Sequence, residues 1–312
     1  MEKCAAAVIC YNPDIPRLKA CIDAAAGQVQ KVYCFDNGSA NVEEILALAA
    51  QERPAGQCVE LIRSPENRGI PAAMNEMLRR ADEDGMTWLL SLDQDSVAGE
   101  GMAEKLVEAI LSDESAALAC PVVYDGRRGG PGEVTGEERI GETDFCITSG
   151  CLMDVRKVLE IGGLDEWLFI DFVDNELCHR VRLNGYKIMQ NHAVVLDHEL
   201  GKITPSPHAG FYRRFYDSTH LPLFQKLTYR REVVPMRVRY ATRNCLYLKK
   251  KYRKYPNPAF TVRWTVYNGL SSIVRGRKKG KIASAFLQGL KEGCAAKCEA
   301  CEPVRQGQDA QA

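Results

Sequence analysis

The chain has 312 residues, 46% of them hydrophobic and 26% charged, a globular balance that excludes collagen-like, disordered and disulfide-scaffold classes. Its net charge of zero hides a division. Residues 1–201 carry 18 basic and 35 acidic side chains, net −17, and residues 202–312 carry 23 and 6, net +17, which points to two regions with different partners.

The first region alternates strand-like and helix-like segments. Cys4–Cys10 reads as a buried strand ending in the turn Tyr11-Asn12-Pro13-Asp14, followed by a helix over Ile15–Ala26. A second strand, Lys31–Phe35, runs into Asp36-Asn37-Gly38-Ser39; Val42–Gln51 is helical and Cys58–Arg63 a strand. Pro71–Asp84 has helix grammar at both ends, with proline first and Gly85 past the last turn. Thr87–Leu92 is another buried strand and ends at Asp93-Gln94-Asp95. The alternation predicts a doubly wound α/β sheet.

Between Asp125 and Gly141 six glycines and no periodicity predict a loop. Phe145–Met153 and Lys187–Leu196 read as strands, and Asp174–Asn184 as a short helix capped by Asp174 and stopped by Gly185. Past Gly201 fourteen of the 24 aromatics lie among Arg and Lys, and no strand is evident. Phe211–Leu227, Val234–Tyr255 and Phe260–Val274 read as helices. The expected division is 1–204 for a catalytic domain, 205–305 for a basic helical region and 306–312 for a disordered tail.

Three turns carry chemistry. Asp93 and Asp95, two apart beyond a strand, point the same way and suit one hard divalent cation, Mg²⁺ or Mn²⁺, shared with substrate phosphates; a polar turn without a metal uses the same residues. Asp36 and Asn37 offer a carboxylate and an amide to a base or ribose, or form an Asx-turn. Asn67-Arg68-Gly69 leads into a helix N-terminus, a place that favours anions, with Asn75 one turn inside.

With these turns in order, the sequence resembles family-2 glycosyltransferases of the GT-A fold, in the rhamnosyltransferase-like branch of bacterial polysaccharide assembly. The matching pieces span residues 5–201: Tyr11-Asn12-Pro13, Asp36–Ser39, Asn67–Gly69 with Asn75, Leu92–Ser96, Thr148-Ser149-Gly150, Phe169–Cys178 and Asp197–Gly201. The resemblance implies a metal-dependent inverting enzyme. It would move a sugar, L-rhamnose from dTDP-L-rhamnose, onto a glycan or lipid-linked glycan acceptor. Galactofuranose, glucose and N-acetylhexosamine donors remain alternatives.

By the same resemblance Tyr11, Asn12, Asp36, Asn37, Asn67, Gly69, Asn75, Asp93, Gln94, Ser149 and Gly150 line the nucleotide-sugar site. Asp93, Asp95 and His198 hold the metal. Asp174 is the base that deprotonates the acceptor, with Asp171 and Glu176 as alternates, because Val173 stands where the family carries a Glu.

The thirteen cysteines lie mostly in apolar segments, and Met1-Glu2-Lys3-Cys4 lacks the apolar stretch of a leader, so free thiols in a reducing cytoplasm are expected. Cys294, Cys298 and Cys301 lack a fourth ligand and read as thiols of a helical tail rather than a metal cradle. Arg237–Lys254 mixes cations and aromatics at helical spacing, which suits an anionic membrane surface, a nucleic acid, or packing on the acidic first region. The expectation is a cytoplasmic protein, peripheral at the inner membrane face, adhering by charge without insertion and with no nucleic-acid partner. A homodimer stays open. A nucleic-acid-binding protein acting through the basic half is the rival from another class.

Overall fold

A computed structural model describes residues 3–54, 58–124, 139–197, 203–220, 224 and 228–304. The chain divides into two compact units, Met1–His198 with Ala300–Ala312, and Glu199–Glu299.

The first unit runs β1 (Cys4–Cys10), α1 (Ile15–Ala26), β2 (Lys31–Asn37), α2 (Val42–Ala49), β3 (Cys58–Ser64), α3 (Gly69–Glu83), β4 (Trp88–Asp93), α4 (Met102–Leu111) and β5 (Ala116–Tyr124). It continues with β6 (Ile140–Glu142), β7 (Leu152–Asp154), α5 (Val155–Glu160), a 3₁₀ turn (Glu166–Leu168), α6 (Val173–Leu183) and β8 (Lys187–Asp197). The sheet order is β3-β2-β1-β4-β7-β5-β8-β6.

β1 pairs in parallel with β2 and β4, and β2 with β3. The run CAAAVIC is buried along nearly all its length; a strand covered on both faces has no polar side to alternate with. α1 starts where the sequence signals it, with Asp14 Oδ1 accepting from Arg17 N at 3.0 Å and a proline in the first turn. The chain passes from β1 to β2 and β3 on one side and returns on the other for β4. The crevice beyond the carboxyl ends of β1 and β4 is therefore the switch point where open α/β sheets bind ligands.

The expected strand Phe145–Met153 is a correction. Only Leu152–Asp154 pairs, antiparallel to β4 and β5. Gly150 has φ +80°, and Thr148 N and Ser149 Oγ bond to Asp174 in α6 and to Asp93 at the end of β4 rather than to a strand ladder, so residues 145–151 form a loop. The predicted loop 125–141 lies outside the described residues up to position 138.

The second unit contains β9 (Ile203–Pro205), α7 (Ala209–Thr219), β10 (Tyr229–Arg231), α8 (Pro235–Lys251), α9 (Val262–Arg275) and α10 (Lys279–Ala295). β9 and β10 pair antiparallel, where the composition suggested no strand. Val238, Ile282 and Phe286 form its small apolar core. Arg239 on α8 grips Glu292 on α10 through bonds of 2.6–3.0 Å. Cys294 ends α10, whereas Cys298 and Cys301 follow it in irregular chain rather than a helix. Among the described residues no helix is long and apolar enough to cross a membrane.

Candidate active site

The loops after β1, β2, β3 and β4 emerge at one edge of the first unit, and side-chain amides tie them together. Gln94, after β4, pairs with the backbone of Tyr11, after β1: Tyr11 N donates to its Oε1 at 2.8 Å, and its Nε2 donates to Tyr11 O at 3.4 Å. Asn12 reaches the β2 loop, where its Oδ1 accepts from Ala40 N at 2.8 Å and its N–H donates to Ser39 Oγ at 2.9 Å. Asn37, buried at the end of β2, accepts from Arg68 N at 2.7 Å and donates to Gly69 O at 3.2 Å. Asn75 Oδ1 accepts from Leu164 N at 2.7 Å, and its Nδ2 donates to Leu164 O and to Glu166 Oε1, both at 2.9 Å.

The four amides thus replace missing backbone partners between neighbouring loops. The sequence places Asn12, Asn37, Asn75 and Gln94 among donor contacts. In the structure each of them also braces a neighbouring segment. Tyr11 is half exposed at 49%. Asp36 is buried, with Oδ1 accepting from Ser39 N at 3.0 Å, and Asn67 closes a turn onto Gly69 N at 2.9 Å.

The metal pair sits at the end of β4. Asp93 is half-buried and Asp95 exposed. Asp93 N donates to Ser149 Oγ at 3.2 Å, Asp93 O accepts from Ser96 N at 3.0 Å, and the buried Ser96 and Ser149 hydroxyls share a bond of 2.9 Å. Arg17 Nε holds Asp95 O at 2.7 Å. Two carboxylates are hard oxygen donors and fit Mg²⁺ or Mn²⁺. Among the described residues no group of three or more His, Cys, Asp or Glu could hold a metal, so phosphates and water would complete the sphere. His198, the expected third ligand, lies outside the described residues.

Thr148-Ser149 joins this end of the crevice to the other. Beside the Ser149 bonds to Asp93 and Ser96, Thr148 N donates to Asp174 Oδ1 at 3.0 Å. Gly150, next in the loop, is buried and anchors it by donating to Ser91 O at 2.7 Å. Asp174 stands in the first turn of α6, but the cap position belongs to Phe172, whose side chain makes no cap bond. The expected capping role of Asp174 is corrected accordingly: its carboxylate orients on the Thr148 loop.

Glu176 is also relocated. It is fully buried and bidentate to Arg180, with Nε and Nη2 each at 2.9 Å, while Arg180 Nη1 donates to Ile161 O at 2.6 Å and Nη2 to Gly163 O. A carboxylate enclosed by a guanidinium cannot meet an acceptor hydroxyl, so the alternate role considered for Glu176 falls away. The i,i+4 spacing of Glu176 and Arg180 was the sequence signal for this pair.

The chain that enters α6 is strained. Phe169 has φ 64° and ψ −59°, and Ile170 N donates back to Leu168 O at 2.7 Å, a positive-φ γ-turn, which is rare and costly. Asp171 and Phe172 follow with φ 64° and 65°. The γ-turn aims Phe169 O at Ile70 N, 2.8 Å away at the start of α3. Gly69 is required there, since a Cβ on it would lie 2.7 Å from Phe169 O. Nothing in the residue types of this segment signals its conformation. Strain of this kind clusters at functional sites.

Residues 6–146 match the family model described as Glycosyl transferase family 2. Over 190 residues the chain is 32% identical to the dTDP-rhamnosyl transferase RfbF of Shigella flexneri, covering 56% of this chain and 62% of that protein. The chain thus spans less than two thirds of the length of that relative. Among solved structures, the mannosyltransferase PcManGT from Pyrobaculum calidifontis in complex with GDP-Man and Mn²⁺ aligns over 99% of this chain and 79% of its own, with TM-score 0.55 and 14% identity. S. aureus TarS 1–349 in complex with UDP aligns over 99% and 92%, with TM-score 0.52 and 10% identity. GalNAc-T7 with UDP, GalNAc and Mn²⁺ aligns over 63% and 44%, with TM-score 0.51 and 12% identity. At such identities these likenesses show a shared fold.

Proposed function

We propose that the chain is a family 2 glycosyltransferase of the GT-A fold and that it transfers L-rhamnose from dTDP-L-rhamnose to a hydroxyl of a lipid-linked glycan at the inner membrane face. The observation that carries this reading is the Thr148-Ser149 loop, which orients Asp93 through one residue and Asp174 through the next. A diphosphate end and an acceptor end are thereby held by one short segment. The donor is taken from the similarity to a dTDP-rhamnosyl transferase.

In this reading the base and ribose lie along Tyr11, Asp36 and the Asn67–Gly69 turn, and the diphosphate lies at the end of β4. Asp93 and Asp95 would hold a divalent cation, which supplies positive charge against the leaving diphosphate. Asp174 accepts the proton of the acceptor hydroxyl as its oxygen attacks the anomeric carbon. Attack opposite the leaving group inverts that carbon through an oxocarbenium-like state, as in glycoside hydrolysis. Thr148 N–H keeps Asp174 Oδ1 in place during the approach, so alignment is present before substrate arrives.

The test is a thermal-shift screen of nucleotide-sugars with and without Mn²⁺, since a ligand that binds the folded state raises the melting temperature by mass action. dTDP-L-rhamnose is expected to give the largest shift, with the metal-dependent part lost in Asp95→Ala. An equal shift in EDTA would sink the metal assignment. A larger shift with another sugar nucleotide would replace the donor.

A further inference from the structure

α9 exposes an apolar stripe. Val262, Val266, Leu270 and Val274 recur every four residues, so they stack along one side of the helix, and Tyr267 stands beside them. All five are 42–72% exposed. The side adjoining the stripe is committed to the second unit: Thr265 and Gly269 are buried, and a Cβ on Gly269 would lie 2.1 Å from the Phe286 ring of α10. The helix therefore cannot rotate to hide the stripe without separating from α10.

Charge decides what covers it. From residue 233 to residue 291 the sequence has fifteen Lys and Arg and no Asp or Glu. Arg263 and Arg275 on α9, Arg277 and Lys278 in the turn after it, and Lys279 at the start of α10 are exposed. A second copy laid stripe against stripe would bring two such cationic surfaces together, and like-charge juxtaposition opposes association. An anionic bilayer satisfies both features at once. The apolar side enters the boundary between headgroups and acyl chains while the cations meet lipid phosphates.

We propose that α9 is a membrane-interface helix that seats Val262, Val266, Tyr267, Leu270 and Val274 in the headgroup layer of an anionic bilayer. This rests on and deepens the membrane placement proposed above, and it differs from adherence by charge alone. Attraction between exposed charges fades at high salt, where screening acts over about 3 Å, whereas an inserted apolar face holds.

The experiment uses the full chain with phosphatidylcholine vesicles, with and without phosphatidylglycerol, at low and high salt. The protein is expected to co-sediment with phosphatidylglycerol vesicles at low salt and to keep a measurable fraction bound at high salt. V266Q/L270Q/V274Q, at positions open to solvent, should lower partitioning at least about tenfold and abolish the salt-resistant fraction. V274Q alone should lower it less. R277Q/K278Q/K279Q should lose preference for phosphatidylglycerol and keep the salt-resistant fraction.

Partitioning of both stripe variants within about twofold of the parent protein would overturn the proposal in favour of charge alone. Absence of vesicle binding by the parent protein would overturn it too, as would a change from dimer to monomer in V266Q/L270Q/V274Q by sedimentation velocity, which would assign the stripe to a second copy. The nucleotide-sugar thermal shift, measured on the same variants, is expected to be unchanged and reports on the transferase reading separately.

Discussion

Asn75 holds Leu164 by both ends of its side-chain amide, 89 residues away in sequence, accepting from Leu164 N at 2.7 Å and donating to Leu164 O at 2.9 Å. The pair works as one rung of a sheet built from a side chain. It fixes α3 to the segment that runs through the 3₁₀ turn and the Phe169 γ-turn to Asp174. Arg180 secures the start of that segment from the α6 side, through Ile161 O and Gly163 O. The strained turn is held from both directions.

Asn75→Ala therefore leaves the buried Leu164 N–H and C=O without this partner. Each buried polar group left unsatisfied costs about 1–3 kcal/mol, so a loss of about 2–4 kcal/mol in unfolding free energy is expected from denaturant titration. Transfer should fall further than donor binding, because the released segment carries Asp174 and not Asp93. A variant within about 0.5 kcal/mol of the parent, the range of an ordinary surface change, would show that the strut is dispensable.

Asp174→Asn separates orientation from proton transfer. The asparagine oxygen can still accept from Thr148 N, so the fold and the donor-induced thermal shift are expected to persist. It cannot take a proton, and a general base contributes about 10²–10⁴-fold, so the transfer rate should drop by that order. If Asp174→Asn turns over normally and Asp171→Asn does not, the base is Asp171, on the positive-φ step just before the helix.

Most of the first unit was readable because its signals are local. The apolar run Cys4–Cys10, the Asp14-Ile15-Pro16 helix start and the acidic ends of β2 and β4 each declare themselves within a few residues, and the structure puts the corresponding strands and α1 where those signals lie. The roles of the amides were not readable, since an asparagine's partner is set by which loop the topology brings beside it. Asp174 and Glu176 were ambiguous in the same motif, yet two helical steps turn them about 200° apart, sending Glu176 into the interior with Arg180. The Phe169 γ-turn had no signal at all: a phenylalanine with positive φ exists there because Ile70, Gly69 and the flanking segment impose it.

The buried thiols give a prediction for alkaline pH. Cys4, Cys10 and Cys21 lie in the first unit's apolar core. Burial raises the Cys4 thiol from 9.0 to about 12 and pushes Cys21 well up. Cys10 is raised by its bond to Cys34, with sulfurs 3.3 Å apart, and by burial. Folding thus favours the neutral thiol. Its contribution is fully present below the ordinary thiol value and is lost as pH rises toward the folded one. Each such thiol steepens the loss by about 1.4 kcal/mol per pH unit in that window. Stability measured by denaturant titration is expected to hold from neutral pH to about pH 9 and then to fall with a slope exceeding that of a single group. Cys4→Ala should shallow that slope, even though it lowers stability at neutral pH by leaving a small void. Thiol alkylation of the native protein at neutral pH should reach the exposed Cys58 and Cys294 and spare Cys4, Cys10 and Cys21, because a buried protonated thiol is a poor nucleophile. Rapid native labelling of those three, or a stability flat through pH 11, would show that the core thiols ionise as freely in the folded chain as in the unfolded one.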